Sequence, residues 1–136
     1  MAGLSIFDIS GRAMSAQLVR LNTTASNLAN AGSVARSEAE AYKARKPVFE
    51  TYFDQASGGA AATVDVVDVV SAGGTPVKRY DPGHPLADKD GYIYEAAVDQ
   101  TQEMVELLEA SRQYQNNVEV IQTAKSLMLN TLKLGQ

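Results

Sequence analysis

Leu4, Phe7, Gly11, Met14, Leu18, Leu21, Ala25 and Leu28 follow one another at intervals of three and four residues. Met104, Leu107, Ser111, Tyr114, Val118, Ile121, Lys125, Met128 and Leu132 do the same near the other end of the chain. Such spacing places each set on one stripe of a helix, and a stripe held over several heptads calls for a partner helix. The first set predicts a helix over about 4–30, roughly 40 Å long, ending at Asn30 and Gly32. The second predicts a helix capped by Asp99 or Thr101 and followed by Gly135. Paired antiparallel, the two would share an intrachain seam.

The first helix contains a contrary stretch, "RLNTTASNLANAG" at 20–32. Asn, Thr and Ser compete with the backbone for hydrogen bonds and weaken a helix interior. A helix so built is marginal alone and gains from neighbours. Its polar side chains can hydrogen-bond across helix contacts, where a buried Asn fixes register.

Between the helices the character changes. "GGAAAT" (58–63) and "SAGGTP" (71–76) bracket "VDVVDVV", a β-branched run whose alternation slips phase at Val66-Val67. "YDPGHP" offers a Pro82-Gly83 type II turn, and "DKDGYIY" sets Asp90-Gly91 before an aromatic strand, a hairpin signal. The organisation expected is an N-terminal helix in 1–35, a β-rich insert with mobile loops in 36–97, and a C-terminal helix in 98–136. The insert has too few large apolar residues for a core of its own. The fold class expected is mainly α with a small β insert, the long terminal helices forming a coiled-coil-like pair completed by helical assembly.

A net charge of −4 argues against a nucleic-acid partner, which needs clustered Lys and Arg. The absence of Cys excludes disulfides and thiolate metal sites. No apolar run reaches membrane-spanning length, so no membrane insertion is expected. "MAGLSIFDIS" lacks a basic n-region, and Asp8 and Arg12 interrupt any h-region, so no cleaved signal peptide is expected.

Catalytic signals are weak. His84, the single histidine, has Asp81, Asp88 and Asp90 near it in sequence, but Pro82, Gly83 and Pro85 mark a turn. "DKDG" lacks the spacing and terminal Glu of a calcium loop. The glycine pairs are not followed by Gly-Lys-Ser/Thr. Glu103, Glu106 and Glu109 read as the solvated face of the second helix. No cofactor, metal or enzymatic activity is expected.

Apolar residues also lie off the seam. Ile6, Ile9, Ala13 and Ala16 sit away from it on the first helix, and Val120, Leu127 and Leu134 recur every seven residues on the second. A two-helix hairpin cannot bury both sides of each helix, so these residues predict contacts with other subunits. Asn22, Asn27 and Asn30, with Arg112, Gln115 and Asn117, complete the candidate assembly set. A soluble helical adaptor or export chaperone, holding a partner helix in its groove, is the alternative. A small metal-dependent enzyme around His84 is a third.

"LNTTASNLANA" at 21–31 resembles the signature of flagellar axial proteins, the rod and hook family. The segment from Glu103 to Gln136 resembles that family's terminal helix. "YKARKPVFE" at 42–50 and "YDPGHPLADKDGYIY" at 80–94 narrow the resemblance to its proximal-rod branch. "GSVARSEAEAY" at 32–42 and "EAAVD" at 95–99 depart from the family pattern. The resemblance implies a structural subunit of the bacterial basal body, exported by the flagellar type III system and stacked helically in the periplasm. It implies partners as well: copies of itself, other proximal and distal rod proteins, the junction of MS ring and rod, and the export apparatus.

Overall fold

The computed structural model describes residues 5–54 and 61–135. Two helices, α1 (Ile6–Asn30) and α2 (Gln100–Leu134), enclose in sequence five strands: β1 (Val34–Ala35), β2 (Arg45–Asp54), β3 (Ala61–Ser71), β4 (Val77–Tyr80) and β5 (Tyr92–Glu95). Local chemistry sets the helix ends. Ser5 caps α1 in a capping box, its hydroxyl accepting the Asp8 N–H while the Asp8 carboxylate accepts from the Ser5 N–H. Asp99 caps α2 by accepting from the N–H groups of Thr101 and Gln102.

The helices run antiparallel. Gln17 Nε2 donates to Gln113 Oε1 at 2.9 Å, and Asn27 Nδ2 donates to Glu103 Oε2 at 2.9 Å, so an advance along α1 is matched by a retreat along α2.

The strands form two separate antiparallel sheets. One has the order β1-β5-β4; the other is the β2–β3 hairpin alone. The phase slip at Val66-Val67 is a register shift: Val48 faces Asp68 and Phe49 faces Val66, leaving Val67 unpaired. Asp90-Gly91 precedes β5, and Gly91 takes a φ of 81° that favours glycine. Pro82-Gly83 makes a turn closed by the His84 N–H donating to the Asp81 carbonyl at 3.1 Å. Gly83 keeps a negative φ there, so the turn is not the type II expected.

The expected fold class, mainly α with a small β insert, is overturned. The chain is α+β: the hairpin alone has strands of 10 and 11 residues. Side-chain volume misled the reading of the middle segment. The ribbon is held by a long ladder of backbone hydrogen bonds and by its docking on α1, and neither needs large apolar residues. Ala61, Ala62 and Thr63, read as glycine-rich punctuation, are in β3; the adjoining Gly58, Gly59 and Ala60 lie outside the described residues.

Candidate assembly surface

The fully buried residues of the two helices are all small or polar. Ser10, Ala16, Thr23, Thr24 and Asn27 are buried on α1, and Glu103 and Ala110 on α2. Small side chains let the two backbones approach closely, and polar ones then require partners. Thr23 Oγ1 donates back to the Val19 carbonyl at 2.7 Å. The Asn/Thr/Ser stretch, weak in isolation, thus supplies the inner face of α1.

Asn27 is the hub. It is 1 % exposed. Its Nδ2 donates to the Arg45 carbonyl at 2.8 Å as well as to Glu103, and its Oδ1 accepts from the Arg45 N–H at 2.8 Å and the Tyr42 hydroxyl at 2.9 Å. One amide therefore fastens α1 to α2, to the start of β2 and to the segment before it. Beside it Lys46 Nζ donates to Glu106 Oε1 at 2.6 Å. Burial disfavours the charge on Glu106, but hydrogen bonds from Lys46 and Gln102 and the charges of Lys46 and Arg20 outweigh it, leaving its pKa below the ordinary 4.5.

This corrects two readings. Glu103 is not on the solvated face: it is 2 % exposed. Asn27 and Ala16, placed in the assembly set, are covered within the chain. The missed signal was the seven-residue series Glu103, Ala110, Asn117 and Ala124, which borders the seam through Leu107, Tyr114 and Ile121 on its other side. Small and polar residues at heptad spacing marked the contact face where large apolar ones were sought.

The remaining seam residues divide. Phe7, Met14, Leu21, Leu28, Leu107, Tyr114, Val118 and Ile121 are half-buried, whereas Leu18, Ala25, Met104, Met128 and Leu132 are exposed; Leu4 lies outside the described residues. Of the assembly set, Ile6, Asn22, Arg112, Gln115, Val120, Leu127 and Leu134 are exposed, and Ile9, Ala13, Asn30 and Asn117 are half-buried. Two of these amides are turned onto their own helices: Asn30 Nδ2 donates to the Ser26 carbonyl and Asn117 Nδ2 to the Gln113 carbonyl.

Among the described residues, the end of the pair opposite Asn27 is open. With 35 residues against 25, α2 is about 52 Å long and α1 about 37 Å at 1.5 Å per residue. The register set by Gln17–Gln113 brings Ile6 level with Ala124. From Lys125 to Leu134, α2 has no described residue of α1 beside it. Leu127 is 62 % exposed and Leu134 89 %. Ile6, Val120, Ala124, Leu127, Met128 and Leu132 line an apolar cleft of about 860 Å³ at this end. Contiguous apolar surface of this kind marks an interaction face.

Among the described residues, no helix is long and apolar enough to cross a membrane, and no group of His, Asp and Glu is placed to hold a metal ion. His84 Nδ1 accepts the Leu86 N–H at 3.1 Å, which ties the imidazole into its turn.

A helix pair locked at one end by a buried polar hub and left apolar at the other defines a subunit class: a chain completed by association. Family models describe the same segments. Residues 7–34 match "Flagella basal body rod protein", and residues 89–134 match "Flagellar basal body rod FlgEFG protein C-terminal". The chain is 49 % identical over 136 residues to the flagellar basal-body rod protein FlgC of Escherichia coli O6:H1, 48 % over 136 residues to that of Salmonella typhimurium, and 47 % over 138 to that of Yersinia enterocolitica, with all of both chains covered each time. The chain belongs to the FlgC family of flagellar basal-body rod proteins. It is a structural subunit of the basal-body rod.

Proposed function

We propose that this chain assembles helically, with copies of itself and with other rod proteins, into the proximal part of the rod. There it forms a drive shaft that passes torque from the MS ring toward the distal rod and hook, and encloses the export channel. The chain reaches the periplasm through the flagellar type III system and meets the MS-ring junction and export apparatus as it assembles. The observation that carries this reading is the open end of α2. Its apolar residues from Val120 to Leu134 exceed what α1 can cover, and a repeating neighbour covers them in every copy. Burying Leu127 alone contributes on the order of 1.5–3 kcal/mol per subunit. Basal bodies purified from a strain lacking the native protein and supplied with this chain test the reading. The chain is expected in the rod fraction with motility restored, and its absence from rods despite export contradicts the proposal.

A further inference from the structure

Along α2, Val105, Leu108 and Arg112 lead to Asn116, and Glu119, Thr123 and Leu127 lead away from it, at intervals of three, four and four residues. All are exposed. An eleven-residue repeat of this kind matches the pitch of a straight helix, so the stripe runs along one face without drifting. That face lies away from α1, on the side opposite the buried Glu103 and Ala110. It carries large apolar residues beyond those of the cleft at the open end: Val105 is 58 % exposed and Leu108 67 %. These two line a groove of about 520 Å³ with Arg112 and Asn116. Asn116, Glu119, Thr123 and Leu127 continue the stripe into the cleft.

The charges at the middle of the stripe are unmatched. Neither Arg112 nor Glu119 has an ion-pair partner among the described residues. Two turns of helix, about 10 Å of axial rise, keep them from each other.

Read along the helix, the stripe is apolar, cationic, Asn116, anionic, apolar. Turned end for end, it is its own complement. A second copy related by a two-fold axis beside Asn116 sets its Glu119 against Arg112 and its Arg112 against Glu119. Its Leu127 and Thr123 then fall over Val105 and Leu108. Two copies side by side in parallel, at the same level, would oppose Arg112 to Arg112 and Glu119 to Glu119. Charge therefore selects the antiparallel arrangement.

We infer that free subunits pair antiparallel through this outer stripe of α2, a second copy of the chain covering both grooves. A few apolar side chains from each copy and two solvent-facing ion pairs make a weak contact, so the pair exchanges freely with monomer and is absent from dilute solution. Pairing covers Leu127. On the assembly reading proposed above, the pair and the rod compete for that residue, and pairing keeps surplus apolar surface occupied until a growing rod is met.

Sedimentation equilibrium of the purified full chain tests the pairing. At about 100 µM and above, the unaltered chain should show a monomer–dimer equilibrium. Arg112→Glu and Glu119→Arg each turn both ion pairs into repulsions and should weaken it roughly tenfold. Mixing the two variants in equal amounts should restore it, because each supplies the charge that the other lacks. Both positions are exposed and away from the caps, so the fold tolerates the changes. Asn116→Cys gives a second reading in a chain without cysteine. Oxidation should yield a covalent dimer, whereas Gln122→Cys, exposed but off the stripe, should not. A chain that stays monomeric near about 1 mM overturns the proposal. So do variants that pair as well alone as mixed, or equal cross-linking at 116 and 122. Entry of the unaltered chain into basal bodies is scored separately. Normal entry by a chain that does not pair refutes the pairing alone, whereas pairing without entry refutes the assembly reading alone.

Discussion

Asn27 and Glu103 meet at 2.9 Å across the helix pair, both shut away from solvent. A buried carboxylate is costly unless it is hydrogen-bonded, and the Asn27 amide supplies that bond while spending its other hydrogen-bonding capacity on Arg45 and Tyr42. The contact fixes the register of α1 against α2, and the register in turn determines which residues of α2 are left without a partner.

Asn27→Ala strands Glu103, the Arg45 backbone and the Tyr42 hydroxyl at once. Urea unfolding should show a loss of about 3 kcal/mol. Tyr42→Phe removes one donor of the same hub and should cost about 1 kcal/mol. Equal, small losses for the two would mean that the hub does not hold the pair together.

Acid should loosen the subunit locally before it unfolds. Carboxyls held below their ordinary values include Asp8, chiefly through the Ser5 hydroxyl and backbone; Asp88, chiefly through the Tyr92 N–H; and Glu106, where the bonds from Lys46 and Gln102 outweigh burial. A depressed folded pKa means that the unfolded chain binds the proton first as pH falls. The stability these groups contribute is therefore full above their ordinary values of 3.8 and 4.5 and is lost as pH falls through the depressed values. Glu106→Gln should flatten part of the acid limb of a circular-dichroism titration, by at most about 1 kcal/mol. An unchanged limb would remove Lys46–Glu106 from the explanation.

Gly91 permits a test of the β4–β5 connection. At a φ of 81°, an added Cβ would lie 3.0 Å from both Pro82 Cβ and Tyr80 Cε2. Gly91→Ala should cost about 1–3 kcal/mol by thermal melt. Gly32→Ala, whose added Cβ meets nothing within 4 Å, is the contrast and should be nearly neutral.

Both helices were legible in the sequence because heptad spacing and, for α2, the Asp99 cap are local signals; the Ser5–Asp8 capping box of α1 went unread. The face each one buries was harder to read. Large apolar residues dominate a periodicity argument, so Met104 and Leu132 drew attention while Ser10, Ala110 and Glu103 carry the contact. Burial in this chain follows close backbone approach and hydrogen-bond satisfaction, and both depend on the partner helix. The hairpin was read only in part: the valine run and its phase slip are local, but the length of β2 depends on what β3 offers it. Spacing set Leu127 and Leu134 apart from the seam, yet the seam residues Met128 and Leu132 are exposed as well, because α2 runs past the start of α1 and the length mismatch is not a local signal.

Leu127→Lys should leave the isolated subunit within about 0.5 kcal/mol of the original, since an exposed position away from caps and hubs tolerates change. It should nevertheless abolish rod formation, because a helical assembly repeats the buried charge in every copy. Thermal melting and recovery in purified basal bodies separate the two effects. Lys125→Ala, an exposed neighbour on the same overhanging part of α2, is the contrast and should leave both the melt and rod formation nearly unchanged. Normal motility with Leu127→Lys would make this stripe ordinary surface.

The open end of α2 can be probed directly because the chain has no cysteine. Leu127→Cys introduces a single thiol at the exposed apolar cleft, and a maleimide reports whether that position is open. In the purified subunit the thiol should label completely within minutes. In intact basal bodies it should resist the reagent, and regain reactivity when the rods are dissociated. Equal labelling in the free and assembled states would contradict burial of this end by neighbouring subunits.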